Sequence, residues 1–234
     1  MSKFTKEEIF KKVTELSKKG SWNHFYDFSN GVKTFDAPIK SPGYSPNKWA
    51  RLKNIIDSLD PSGKTLIDVG CSDGFFSIMS ARKNMSKVKG IDPDPLRIEK
   101  ANFAKEVYDI KNVKFEVADL YELPEGPDDQ YDIVLGLGLL HRVPDLDKCI
   151  DKLCAIGKNI ILEFKTLDEK ESKVVYHGGN SKSNEWNGLH YTPTKQYVID
   201  RMASNGLPNF KTIEDNDSGL NYKRTIMLFS VEEV

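Results

Sequence analysis

Thr65-Leu66-Ile67-Asp68-Val69-Gly70-Cys71-Ser72-Asp73-Gly74-Phe75-Phe76-Ser77 is an apolar run of strand length that meets a glycine-rich turn and passes without a linker into a helical segment. Some twenty residues on, Lys87-Val88-Lys89-Gly90-Ile91-Asp92 reads as a second short strand ending in a carboxylate, the spacing at which a βαβ unit presents an acid to a ribose diol. Gly70 and Gly74 allow a sharp turn and close approach of a ligand, and the N–H groups after Gly74 favour an anion. A triphosphate loop would end in Gly-Lys-Ser/Thr, which is absent. A pyrophosphate loop would follow G-x-G-x-x-G/A, but Ser72 fills the middle glycine position and Asp68 and Asp73 bring negative charge, which disfavours a nicotinamide-dependent dehydrogenase. Taken alone, the turn also fits a βα loop with no ligand.

Outward from this junction the pattern alternates. Strands are expected near 64–69, 87–92, 112–117, 130–136 and 158–163, with helices near 74–83, 95–108 and 146–155, the signature of a mostly parallel sheet covered on both faces. Upstream, Thr5–Lys19 carries Ile9, Phe10, Val13 and Leu16 at helical spacing behind a Thr5-x-x-Glu8 capping box, and Gly20 stops it. Ser21–Ser45 mixes aromatics with Gly, Pro and Asn, and a second helix, Ser45–Leu59, ends before Pro61-Ser62-Gly63. Past Lys165 the periodicity loosens: Asp168–Gly188 reads as irregular, Thr194–Asn205 as a helix, and strands near 208–214 and 223–230 close the chain. The expectation is an α/β protein with a Rossmann-like, mostly parallel seven-stranded sheet. Residues 1–60 form a helical N-terminal extension and lid, residues 61–234 the main domain, and residues 165–195 an insertion on the acceptor side.

Bulk properties narrow the class. With 234 residues and 38% hydrophobic content, one sizeable core is affordable. Lys+Arg 34 against Asp+Glu 35 leaves a net charge of −1, so no global field draws in nucleic acid or an anionic membrane. Met1–Gly20 is amphipathic and lacks a signal-peptide pattern, and no apolar run approaches the roughly 18 residues that span a bilayer. A cytoplasmic address without a membrane partner is expected. Cys71, Cys149 and Cys154 are odd in number and show no metal-ligand spacing, which favours reduced thiols.

Ligands of open α/β sheets lie beyond the carboxyl ends of the strands, and the acids and glycines fall there: Asp68-Val69-Gly70, Asp92, Ala118-Asp119-Leu120, Gly136-Leu137-Gly138 and Glu163. Asp68, Gly70, Gly74 and Asp92 together resemble the S-adenosylmethionine (SAM) site of class I methyltransferases. A methionine zwitterion suits the turn, its carboxylate meeting backbone N–H groups and its ammonium an acid. The resemblance assigns Gly70, Cys71, Ser72, Asp73, Gly74 and Phe75 to the cofactor turn, Asp92 and Pro93 to the ribose, Asp119 and Leu120 to adenine, and Gly136 and Leu137 to the strand end against the cofactor. His141-Arg142, after the fourth strand, then faces the methyl group. An imidazole titrating near neutrality could take a proton from an attacking hydroxyl, an effect of about 10²–10⁴-fold, or merely cap the following turn. Arg142 suits an anionic acceptor or solvent. Trp22, His24, Glu163, His190 and Tyr191 are candidate acceptor-side residues, with Phe25 and Trp186 beside them and packing anchors as the alternative reading. Glu163 would end the fifth strand.

A narrower resemblance covers roughly residues 20–165. Trp22-Asn23-His24 with Asp27-Phe28 and Gly31-Val32-Lys33-Thr34, Lys48-Trp49-Ala50-Arg51, Gly70-Cys71-Ser72-Asp73-Gly74-Phe75-Phe76-Ser77 and Leu140-His141-Arg142 are similar to segments of the tRNA wobble-uridine carboxymethyltransferase branch. There, basic residues of the entry segment help to hold a carboxylated SAM, and the resemblance makes Lys48 their counterpart. Leu140 stands where that branch has Tyr, and the balanced charge gives no tRNA footprint. The expectation is therefore SAM-dependent O-methylation of a small polar acceptor such as a sugar or natural-product intermediate. The alternatives are tRNA wobble-uridine modification and a noncatalytic SAM-binding scaffold.

Overall fold

The computed structural model describes residues 3–28, 31–35, 45–167, 169–178, 189–217 and 223–233. The chain forms two compact units, Met1–Asp119 and Leu120–Val234.

In the first unit, α1 (Lys6–Lys19) starts at the expected capping box: Glu8 N donates to Thr5 Oγ1 at 3.2 Å and Thr5 N to Glu8 Oε2 at 2.7 Å. Its Ile9, Val13 and Leu16 stripe is buried, while Phe10, on the same sequence pattern, is exposed. Two short strands follow, β1 (Asp27–Phe28) and β2 (Val32–Lys33), paired antiparallel. The aromatic segment read as irregular thus contains a miniature hairpin. α2 (Ser45–Ser58) buries Trp49, Leu52, Ile55 and Ile56. β3 (Thr65–Val69), α3 (Phe75–Ala81), β4 (Lys87–Asp92), α4 (Pro95–Val107) and β5 (Val113–Val117) then build two successive βαβ units, with β3, β4 and β5 parallel. Asp94 caps α4 by accepting from Leu96 N at 2.8 Å, and Pro95 fills the first position, where a missing N–H costs nothing.

In the second unit, β6 (Tyr131–Leu137), α5 (Leu146–Ile156) and β7 (Gly157–Thr166) form another parallel crossover. β8 (Val174–Gly178) and β9 (Leu189–Pro193) make a separate antiparallel pair. α6 (Lys195–Ser204) is capped by Thr194, and β10 (Asn209–Asp217) and β11 (Lys223–Ser230) close the chain. β11 runs antiparallel to both β7 and β10. The sheet has seven strands in the order β10-β11-β7-β6-β3-β4-β5, mixed but mostly parallel in its βα part, as expected from the alternating pattern.

Two expectations are corrected. Asp168–Gly188 is not wholly irregular: the β-branched and aromatic run Val174-Val175-Tyr176 pairs with Tyr191-Thr192-Pro193, a match between distant segments that local periodicity does not display. Glu163 does not end its strand. β6 leaves the ladder at Leu137 opposite Glu163, but β11 pairs the other edge as far as Thr166 and carries β7 three residues further. Among the described residues no helix is long and apolar enough to cross a membrane; Trp186 lies outside them.

Gly74 shows what holds the first unit tight. Its φ is +80°, and a Cβ there would sit 2.6 Å from Phe115 Cζ and 2.8 Å from Ala101 Cβ. Gly74→Ala should therefore destabilise the protein by about 3 kcal/mol, combining overpacking with a left-handed backbone. Chemical denaturation checks this, and an unchanged midpoint would show that the contact relaxes freely.

Candidate active site

The glycine turn of the first unit is organised from the end of β4. Gly70 N and Cys71 N both donate to Ile91 O at 2.9 Å. Ser72 N then donates to Asp92 Oδ2 at 2.9 Å, and Asp94 N to Asp92 Oδ1 at 3.0 Å. These bonds hold Gly70, Ser72 and Gly74 at φ of 71°, 53° and 80°. The left-handed region is ordinary for glycine but costs serine about 1–2 kcal/mol. Asp92 is buried and its carboxyl lies above the usual range, chiefly because burial disfavours the charge. Pro93, beside it, is exposed, and Asp119, just past β5, is half-buried.

Asp68 and Asp73 have different duties. Asp68, in β3, accepts from Ser77 Oγ at 2.6 Å, and burial pushes its carboxyl up to about 6, with the hydrogen bond from Ser77 opposing. Burial would raise Asp73 as well, but His24 brings it below the ordinary value. Its Oδ2 accepts from Asn23 N at 2.7 Å and His24 N at 3.1 Å, and its Oδ1 meets His24 Nδ1. Asp73, expected in the cofactor turn, and His24, expected on the acceptor side, are thus partners of each other. Cys71 and Phe75 are buried. Lys48, half-buried on α2, carries its Nζ 5.7 Å from the centre of the Phe76 ring. Trp22 is an anchor, buried edge-on against Tyr26 and Phe28 with the Lys100 ammonium 5.5 Å from its ring centre.

The second unit gathers a separate cluster. His141 lies in a buried turn, Leu140–Arg142, from which Arg142 points outward, exposed. A Cβ built on Gly138 (φ +71°) would lie 3.6 Å from Glu163 Oε2, 3.8 Å from His141 Cε1 and 4.0 Å from Arg224 Nη1, so these three side chains converge. Glu163 is buried and paired with Arg224. The His141 ring is pushed down to about 3, first by burial and then by Arg142, Lys165 and Arg224, with Glu163 opposing. That corrects the expectation of an imidazole titrating near neutrality. Tyr191, in β9, donates its hydroxyl to Pro144 O and so holds the segment that follows the turn; His190 precedes it on the same strand. Gly136 is a packing position, since a Cβ there would meet Leu162 Cδ2 at 2.8 Å. Leu137, ending β6, is half-buried and Leu120 is buried.

A protein-family model described as a methyltransferase domain (Methyltransf_31) matches residues 60–204, more than half of the chain. The chain belongs to this methyltransferase-domain family. Within curated proteins it is similar to a tRNA U34 carboxymethyltransferase of Shewanella frigidimarina, 33% identical over 137 residues, which are 55% of this chain and 39% of the relative. It is also similar to a ubiquinone biosynthesis O-methyltransferase of Neisseria meningitidis serogroup C, 30% identical over 128 residues, 54% of this chain and 53% of the relative. The chain thus spans about half the length, or less, of these relatives. The fold matches the crystal structure of the N-terminal domain of EvdMO1 with SAH bound, with a TM-score of 0.78, 17% identity and 98% of both chains covered.

Within this methyltransferase-domain fold, sequence reasoning missed Ser77, Arg97 and Arg224. Ser77 lies inside the quoted motif, nine residues after the Asp68 it bonds. Arg97 Nη1 donates to Ser72 Oγ at 3.1 Å, and its place in the first turn of α4, three residues after the cap, was a usable signal. Arg224 had none, because its pairing with Glu163 depends on strand register.

Since the His141 ring binds its proton near 3 in the fold against an ordinary 6.5, the unfolded chain takes up that proton first. Its contribution to stability is complete above 6.5 and is lost as pH falls toward 3. His141→Gln should therefore lose less stability than the parent between pH 6.5 and about pH 4 in denaturation series. Parallel pH profiles would contradict the assignment.

Proposed function

We propose that this chain is a SAM-dependent methyltransferase that methylates a hydroxyl of a small polar acceptor. The observation that carries the reading is Asp92: a buried carboxylate at the end of the second βαβ strand whose two oxygens each accept one backbone N–H. Each oxygen keeps lone-pair capacity for a further donor, which suits the two hydroxyls of a ribose. Asp68, raised to about 6 by burial, suits an ammonium, whose charge would restore its ionisation. Asp119 is assigned to the adenine amino group and the N–H of Leu120 to a ring nitrogen. This donor and acceptor set fits an aminoacyl nucleoside better than a polyphosphate, and membership of the methyltransferase-domain family supports the same choice.

When bound, SAM supplies an electrophilic methyl on sulfur. His141, with Arg142, is assigned to the acceptor. Held neutral at physiological pH, its imidazole is a weak proton acceptor, so its contribution is to orient an acceptor hydroxyl by hydrogen bonding, with positioning supplying most of the acceleration. Tyr191 holds the segment following His141 in place through Pro144, and Glu163 with Arg224 fixes the charge beside it. A second reading, modification of tRNA, is favoured by the 33% identical relative; a net charge of −1 argues for the smaller acceptor.

Asp92→Ala should weaken SAM binding by roughly 1–3 kcal/mol, because two charge-assisted hydrogen bonds are lost together. Calorimetry of parent and variant decides it, and equal affinities would remove Asp92 from the site. Release of S-adenosylhomocysteine with hydroxylated small acceptors, at a rate indifferent to added tRNA, is expected. Release only with tRNA, suppressed by salt, would favour the second reading, and binding without release with any acceptor would mean a scaffold.

A further inference from the structure

The segment from Gly20 to Thr34 is stapled at three places. At its start, the buried Lys100 ammonium of α4 donates to Gly20 O at 2.8 Å and Ser21 O at 2.7 Å. At its end, Thr34 Oγ1 accepts from Tyr26 N and donates to His24 O, each at 3.0 Å. Its middle is held by the cofactor turn itself. Asp73, only 1% exposed, takes the N–H groups of Asn23 and His24 on one oxygen and the His24 ring on the other. Asn23 Nδ2 donates to Ser72 Oγ at 2.8 Å, and Tyr26 Oη to Asp73 O at 2.6 Å. The His24 ring is seated edge-on against Phe76, 5.1 Å between centres.

These bonds reach the ribose acid in one step, since the Ser72 whose hydroxyl accepts from Asn23 is the residue whose N–H donates to Asp92. We propose that His24 and Asp73 are a latch, a positioning pair that fastens the entry segment to the Gly70–Gly74 turn and thereby sets the affinity of the cofactor site without touching the cofactor. The inference rests on the SAM reading for its ligand, though the latch itself is defined by protein groups alone. It makes cofactor affinity and order of the entry segment one coupled property, so that a turn without its strap is a poor cradle.

Chemistry at Oδ1 supplies the test. In Asp73→Asn the amide replaces one oxygen with NH₂. That group can donate to His24 Nδ1 when the imidazole is neutral and carries its proton on Nε2, but meets an N–H head-on when the ring is protonated. The charged and titratable groups around the pair are Asp68 on β3 and Lys100 on α4, with Cys71 and Tyr26 held neutral by burial. All are shared with the parent, so comparison at each pH removes their own titration.

Amide hydrogen exchange of residues 22–28 and titration with S-adenosylhomocysteine are measured together at about pH 8.5 and about pH 5.5. In Asp73→Asn, protection and affinity should stay near parental values at the higher pH and both fall about tenfold at the lower. His24→Asn, whose amide places a donor near the Nδ1 position at either pH, should remove the pH dependence and keep protection. Should Asp73→Asn fail to fold, His24→Phe, which deletes only the ring donor, should lose protection and affinity together at both pH values. Protection unchanged in Asp73→Asn at the lower pH, or in His24→Phe at either pH, or affinity lost while protection stays parental, would overturn the latch. Failure of the parent to bind S-adenosylhomocysteine would instead sink the cofactor reading, leaving exchange alone to decide whether the pair fastens the segment.

Discussion

The dipeptide Ile91-Asp92 is the constraint on which the first unit depends. Through the carbonyl of Ile91 and the carboxylate of Asp92 it takes three consecutive N–H groups, those of Gly70, Cys71 and Ser72, and so holds a serine in a left-handed backbone. Through its own carbonyl Asp92 also accepts from Ala118 N at 3.3 Å, just past β5. The ends of three parallel strands are thereby brought into register by one residue pair. Burial of the carboxylate is tolerable only because both oxygens are hydrogen-bonded.

Electrostatics follow from where each acid finds partners. Asp68, Asp73 and Asp92 are all nearly inaccessible to solvent. Asp73 is compensated by His24 and backbone donors, Asp92 by two backbone donors, and Asp68 chiefly by one serine hydroxyl. The last is therefore raised furthest into the range where a bound cation would ionise it. The second unit shows the opposite sign: His141 is buried beside Arg142, Lys165 and Arg224, with Glu163 counteracting. Lys165 and Arg224 are direct cross-strand partners, an arrangement that repels in isolation and that the buried Glu163 offsets through its bond to Arg224.

Much of this was legible in the chain because the βαβ pattern is local. Apolar runs of strand length, and Thr5 and Glu8 three apart, announce themselves within a few residues. What was not legible depends on pairing at a distance. Val174–Gly178 becomes a strand only because residues 189–193 return beside it, and Glu163 becomes interior only because β11 covers the far edge of β7. Gly74 and Gly136 also answer to packing that the sequence does not display, since an added Cβ would strike Phe115 and Leu162 respectively. Asp73 and His24, separated by 49 residues, offered no sign that they would bond to each other, and the low proton affinity of His141 arises first from burial and then from cations on three different elements.

The central claim is that a carboxylate at the tip of β4 receives a ribose. A crystal structure of the protein with S-adenosylhomocysteine tests it most directly. The account predicts both ribose hydroxyls within hydrogen-bond distance of Asp92 Oδ1 and Oδ2, with the Ser72 and Asp94 N–H bonds retained. A nucleoside seated elsewhere, with Asp92 bonded only to its own backbone, would contradict it.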